Sequence, residues 1–254
     1  RDVIVEKGAQ FMLTVADTTN IDISSGGSQL RVKDGVLSNH VTEGVSSSWI
    51  YAISGGMLRD VTANGQTWIG VSGAYTERVT LNTAGARFDL RSGGTATETV
   101  INKGGSMSVS NSLTTASKTT VNQGGIMNVV SRPNDPNDMI IRDTYVMSGG
   151  RVSVGIGTVT GELHMEEGAN VSFTNKVNFD FDLTVRTIED VALINNYGII
   201  SGGEKTTYSI LIKADQSKGS YNLADGASGF ANSVTVKVNG EAIGKVLTVS
   251  GSTS

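Results

Sequence analysis

Apolar residues in this chain come in pairs two positions apart, and the pairs recur at a nearly constant interval. Six phrases (GAQFML, GARFDL, GGSMSV, GGIMNV, GGRVSV and GANVSF) place them three and five positions after an opening glycine. The pairs are Phe11/Leu13, Phe88/Leu90, Met107/Val109, Met127/Val129, Val152/Val154 and Val171/Phe173. Two further coils shift by one residue, giving Leu30/Val32 and Ile69/Val71. A spacing of two is the signature of a strand with one buried face. A second apolar beat follows about 13–17 residues after each glycine, at Ile21/Ile23, Val41, Val61, Val79/Leu81, Val121 and Leu163/Met165. Small and polar residues separate the beats, so each unit reads as strand, turn, strand, turn, with glycine at the corners.

The opening glycines fall at 8, 26, 44, 65, 85, 104, 124, 149 and 168, a period of about 19–20 residues broken only by one insertion before 149. A unit this short cannot bury its own apolar pairs. Stacking it on its neighbours makes a continuous core, with hydrogen bonds running between coils. The competing fold is a β-sandwich of regularly spaced hairpins, but Asn-Gly hairpin signals are sparse (Asn64-Gly65, Asn239-Gly240). The expected architecture is therefore an all-β parallel solenoid over residues 1–174.

From about residue 175 the beat changes. NFDFDLTV alternates Phe179, Phe181, Leu183 and Val185 against Asp180, Asp182 and Thr184. The runs at 208–214, 233–238 and 245–249 are expected to form longer strands than those of the repeat. Residues 175–254 are expected to form a distinct C-terminal β module that caps the solenoid or links it onward, because an open end exposes unpaired strand edges.

Composition narrows the function classes. Among 254 residues there are 32 glycines, 2 prolines and no cysteine, which removes disulfides and thiol chemistry. A net charge of −4 with scattered Lys and Arg does not suit a nucleic-acid binder or an anionic-membrane patch. No apolar run is long enough to span a membrane as a helix. The opening RDVIVEKG reads as the middle of a repeat, so the sequence is expected to be a segment of a longer protein.

The phrases SGGTATETVINKGGSMSV (92–109) and TASKTTVNQGGIMNV (115–129) resemble the passenger repeats of AIDA-type autotransporter adhesins. The likeness is clearest over 85–130 and looser on either side, where the double glycine is often single. It implies a right-handed parallel β-helix outside a Gram-negative cell, tied to a membrane only through a translocator beyond this sequence. It further implies adhesion to a host surface or glycan, or self-association, with sugars attached to repeat hydroxyls. The matching acceptors are Thr95, Thr97, Thr99, Ser117, Thr119 and Thr120. A threonine is equally at home as a plain solvent-facing strand residue.

Candidate chemistry is thin. His40 and His164 lie in different coils with no nucleophile-elbow phrase nearby, so no catalytic residue is assigned. Asp89, between Phe88 and Leu90, should face solvent; Asp180 and Asp182 should be solvated. No cofactor or metal is implied. The insertion 130–143 carries Asn134, Asp135, Asn137 and Asp138, oxygen-rich but without the spacing of a known Ca²⁺ loop. It reads as an exposed binding loop, since solenoid insertions gather on one flank. Trp49, Tyr51, Trp68 and Tyr75 stand in neighbouring coils. Facing outward they would stack on sugar rings; facing inward they would fill the core, and at least one tryptophan is expected inside. The expected function is a non-enzymatic extracellular adhesin or scaffold at a bacterial cell surface. The alternatives are a passive stalk and a carbohydrate-active β-helix enzyme.

Overall fold

The structure is a computed structural model that describes residues 3–4, 10–14, 17–18, 21–22, 27–42, 47–130, 139–175, 177–186, 191–203, 206–227 and 231–250. The chain winds as a parallel β-solenoid with two long sheets. One has nine strands: Gln10–Thr14, Gln29–Lys33, Ser48–Ile53, Thr67–Ser72, Arg87–Arg91, Ser106–Ser110, Ile126–Val130, Arg151–Val154 and Asn170–Phe173. All pair parallel and in register, so Leu30, Ile50, Ile69, Phe88, Met107, Met127, Val152 and Val171 form a single inward column. Each of these eight is at most 1% exposed. A buried side chain of this size contributes about 1.5–3 kcal/mol, and a coil realises it only when coils above and below cover it.

The second sheet has thirteen strands. Val36–Val41, Met57–Ala63, Tyr75–Leu81, Thr115–Val121, Ile140–Val146 and Gly157–Met165 are its long members within the repeats. Each bends at a residue in the left-handed region. Asn39, Asp60, Arg78, Glu98, Lys118 and Asp143 have φ of 49–56°, and Gly161 has 70°. The bend interrupts the alternation, so that Leu58, Val61 and Ala63 point inward while Arg59 and Asp60 both face out. That bend explains one departure from the expected second beat. Val41 is 55% exposed, and its neighbours His40 and Thr42 point inward instead.

Charge alternates along the outer side of this bend. Arg78 reaches Asp60 with two hydrogen bonds of 2.6 and 3.0 Å, and Lys118 stands 3.5 Å from Glu98. At the next corner, Asn64, Asn82, Asn102 and Asn122 link amide to amide at 2.9, 3.2 and 2.7 Å. The double glycine that follows has two separate reasons. Gly124 takes φ +73°, while a Cβ on Gly125 would lie 2.4 Å from the carbonyl oxygen of Ile101 in the preceding coil.

The altered beat after residue 175 marks the end of the nine-stranded sheet at Asn170–Phe173. The other sheet runs on: Val177–Asp182, Thr207–Ile212 and Ala231–Val238 continue it in parallel. Glu241–Ser250 then folds back antiparallel on Ala231–Val238 as its last strand. Phe179 and Phe181 are buried as expected, but the strand stops at Asp182 and Val185 is 75% exposed.

Candidate functional site: an aromatic column on the outer face

The outward residues of the nine-stranded sheet form columns as regular as the inward ones. In the first, Gln29, Trp49, Trp68 and Arg87 are successive register partners, one coil apart. Both indoles are therefore outside, flanked by buried Ser48 and Ile50 in one strand and by Thr67 and Ile69 in the next. This corrects the expectation that one tryptophan fills the core. The signal was present in the sequence: each tryptophan immediately precedes the inward pair, the position that Ser106, Ile126 and Arg151 occupy in later coils.

The two indoles line a cleft of about 420 Å³ together with Ser47, Gln66 and Arg87. Trp68 donates its indole N–H to Asp89 at 3.1 Å, and Asp89 is also 3.4 Å from Arg91. Asp89 thus faces outward, as the alternation predicted. In the neighbouring column the Arg31 guanidinium stands 5.9 Å from the centre of the Tyr51 ring. Tyr51 lies across Gly70 of the next strand; a Cβ there would come within 2.7 Å of the ring. Missing side-chain bulk at Gly70 is what lets the ring lie along the sheet. Tyr75 is exposed too, but on the other sheet.

Half-exposed aromatic faces one strand spacing apart, ~4.8 Å per coil, with polar rims, suit stacking of flat, partly apolar ligand rings. Neither indole touches another aromatic ring among the described residues, so their faces are not used up internally.

A second cluster sits on the other sheet near its C-terminal end, where Asp143, Glu162 and Asp182 line a cleft of about 220 Å³. Three carboxylates together would serve glycoside chemistry, but each is already committed. Arg142 Nη2 binds Asp182 at 2.6 Å, and Arg186 Nη2 binds Glu162 at 2.6 Å. Tyr145 donates to Glu162 at 3.0 Å, and the Glu162 amide N–H donates to Asp143 at 2.9 Å. Burial, reinforced by the Glu162 carboxylate, raises the Tyr145 phenol above its ordinary value. For Asp182 burial acts upward, yet the Thr184 hydroxyl and amide and the Arg142 guanidinium outweigh it, leaving the carboxyl below its usual range.

Asp180 and Asp182 were expected to be solvated; they are 8% and 5% exposed, and Lys237 caps Asp180 at 3.1 Å. They do point away from the phenylalanines, but the later strand and the turn after residue 182 cover them. His40 is buried and His164 exposed. Among the described residues no group of three His, Cys, Asp or Glu is arranged to hold a metal ion. Asn134, Asp135, Asn137 and Asp138 lie outside the described residues.

Of the six hydroxyls suggested as sugar acceptors, Thr99 and Thr119 are 0% exposed. They follow the left-handed residue of the bend, which turns them inward, so they cannot accept a sugar in the folded chain. Thr95, Thr97, Ser117 and Thr120 remain outward and partly exposed. No helix among the described residues is long and apolar enough to cross a membrane.

No family model and no curated protein matches the chain. Among solved structures it is similar to a hyper-glycosylated TibA fragment, glycosylated by TibC catalysis. The TM-score is 0.47 at 19% identity, over 94% of this chain and 97% of that one.

Proposed function

We propose that this chain is a rigid, non-enzymatic segment of an extracellular bacterial surface protein that binds saccharides on the outer face of its nine-stranded sheet. The observation that carries the reading is the outward Trp49–Trp68 column. Large aromatic side chains are costly to leave in water, and here the parallel register displays two of them side by side over a polar-rimmed cleft. A rod with such a face fits adhesion to a host glycan or to the glycans of neighbouring cells. Self-association of like molecules is the alternative use of the same surface. Sugars attached at Thr95, Thr97, Ser117 or Thr120 would decorate the other sheet, away from the column.

The test is a glycan array probed with the whole chain, followed by titration of the best ligand. Trp49→Ala and Trp68→Ala should each weaken binding by about tenfold, in line with ~1–3 kcal/mol for a stacked ring. If no saccharide binds and the variants leave cell adherence unchanged, the chain is a passive stalk.

The Asp143, Glu162 and Asp182 cleft favours a second reading, a carbohydrate-active enzyme. Release of sugars from polysaccharides, abolished by Glu162→Gln, would establish it. Pairing of Asp182 with Arg142 weighs against it, because a general acid needs a raised pKa and this carboxyl lies below its usual range.

A further inference from the structure

Resting on the saccharide reading of the Trp49–Trp68 column, we infer that the site selects sugars carrying an anionic group, carboxylate or sulfate, and that Arg87 makes the selection.

Arg87 is the register partner of Trp68 and lines the same cleft. It is exposed, and among the described residues no carboxylate pairs with it. Four of the six other described arginines of the repeats are committed: Arg59 to Glu77, Arg78 to Asp60, Arg91 to Asp89 and Arg142 to Asp182. Asp89, the one acid in the described strands of this face up to Arg91, is already held by the Trp68 indole and Arg91. A guanidinium presents a planar fork of donors that meets a carboxylate or sulfate with two hydrogen bonds. Placed one strand spacing from a stacking surface, ~4.8 Å, it reaches a substituent on the ring that the indole holds.

The surrounding charge agrees. Over the five strands from Gln10–Thr14 to Arg87–Arg91, the outward positions include Arg31, Lys33, Arg87 and Arg91 but a single acid, Asp89. The chain as a whole carries −4. A locally positive face on an acidic rod draws anionic ligands toward it.

The experiment titrates the whole chain with oligosaccharides of matched length in three forms: neutral, uronate-bearing and sulfated. At low ionic strength an anionic form, of either kind, should bind at least about tenfold more tightly than the neutral one. The difference should shrink as salt is added. Arg87→Gln should bring the ratio close to one. Arg151→Gln, in the same column but four coils from Trp68, should leave the ratio as it is. Equal binding of neutral and anionic forms overturns the selection by charge while the stacking reading stands. So does a preference that survives Arg87→Gln. If no form binds and Trp68→Ala changes nothing, the saccharide reading itself fails and takes this inference with it.

Discussion

Trp68 donates its indole N–H to Asp89, one coil further along the rod, at 3.1 Å. The bond runs diagonally across the sheet face, because the register partner of Trp68 is Arg87 and Asp89 lies two residues beyond it. It fixes the plane of the half-buried indole. Asp89→Ala should therefore free the ring and weaken binding of a neutral saccharide by about three- to tenfold, the effect of one hydrogen bond of ~0.5–1.5 kcal/mol. Thermal melting should not move. A fall in Tm as large as the loss of affinity would show that Asp89 supports the fold rather than the ring.

Gly70→Ala tests the same face from another side. Its Cβ would meet the Tyr51 ring at 2.7 Å, so the ring must swing away from the sheet. Saccharide affinity is expected to drop several-fold while far-UV circular dichroism stays unchanged. Unaltered affinity would remove Tyr51 from the site.

At Gly125 the obstruction is backbone. Alanine there would press on the Ile101 carbonyl oxygen at 2.4 Å, and the neighbouring coil has no rotamer to yield. The expected cost is about 1–3 kcal/mol, read by denaturant unfolding. Ala86 already carries a Cβ at the equivalent turn position, so Ala86→Gly should show no comparable gain.

Lys118 gives the opposite sign. It holds φ +50° in the bend, and its ion pair with Glu98 is exposed and long at 3.5 Å. A left-handed non-glycine residue costs about 1–2 kcal/mol. Glycine's extra backbone entropy costs about 0.5–1 kcal/mol, and an exposed pair contributes little. Lys118→Gly is expected to stabilise by about 0.5 kcal/mol, although glycine inside a strand ordinarily does the reverse. A lowered melting temperature would refute the strain argument.

Asp182 sets a pH response. Its folded carboxyl lies below the ordinary value of 3.8, so it titrates more readily when the chain is unfolded. Its contribution is fully present above about pH 3.8 and is lost as acid carries it through its lower folded value. Asp182→Asn should flatten the stability profile over that acid range, with the difference from wild type greatest near neutrality. Parallel profiles for the two proteins would mean the Arg142 pair has no role in acid stability.

The nine-stranded sheet was legible in the sequence because its strands keep strict alternation. Every pair from Leu30/Val32 to Val171/Phe173 is buried, and Asp89 faces out as its place between Phe88 and Leu90 demands. The thirteen-stranded sheet was harder. Asn39, Asp60 and Asp143 in its bend are types that tolerate a left-handed backbone, but Arg78, Glu98 and Lys118 at the same position do not announce one. The bend sets two consecutive residues outward, so the apolar beat placed Val41 inside, and the resemblance to adhesin repeats counted the buried Thr99 and Thr119 among the sugar acceptors. Burial of Asp180 and Asp182 was invisible for another reason: Arg142 and Lys237, 40 and 57 residues away, meet them only through long-range stacking. The tryptophans could have been placed from sequence by counting back from Ile50 and Ile69, but their bulk argued for the interior more loudly than their register argued against it.

Register also persists on either side of residues 131–138. Ile126–Val130 pairs with Arg151–Val154, and Thr115–Val121 with Ile140–Val146, as if nothing intervened. The corner between sheets therefore works as a splice port. The strands on both sides keep the same partners across this one long insertion. Met139, fully buried, marks where the port closes. A lineage of such rods can change what it offers at this corner as fast as it likes, and the stack that carries the aromatic face need not take part.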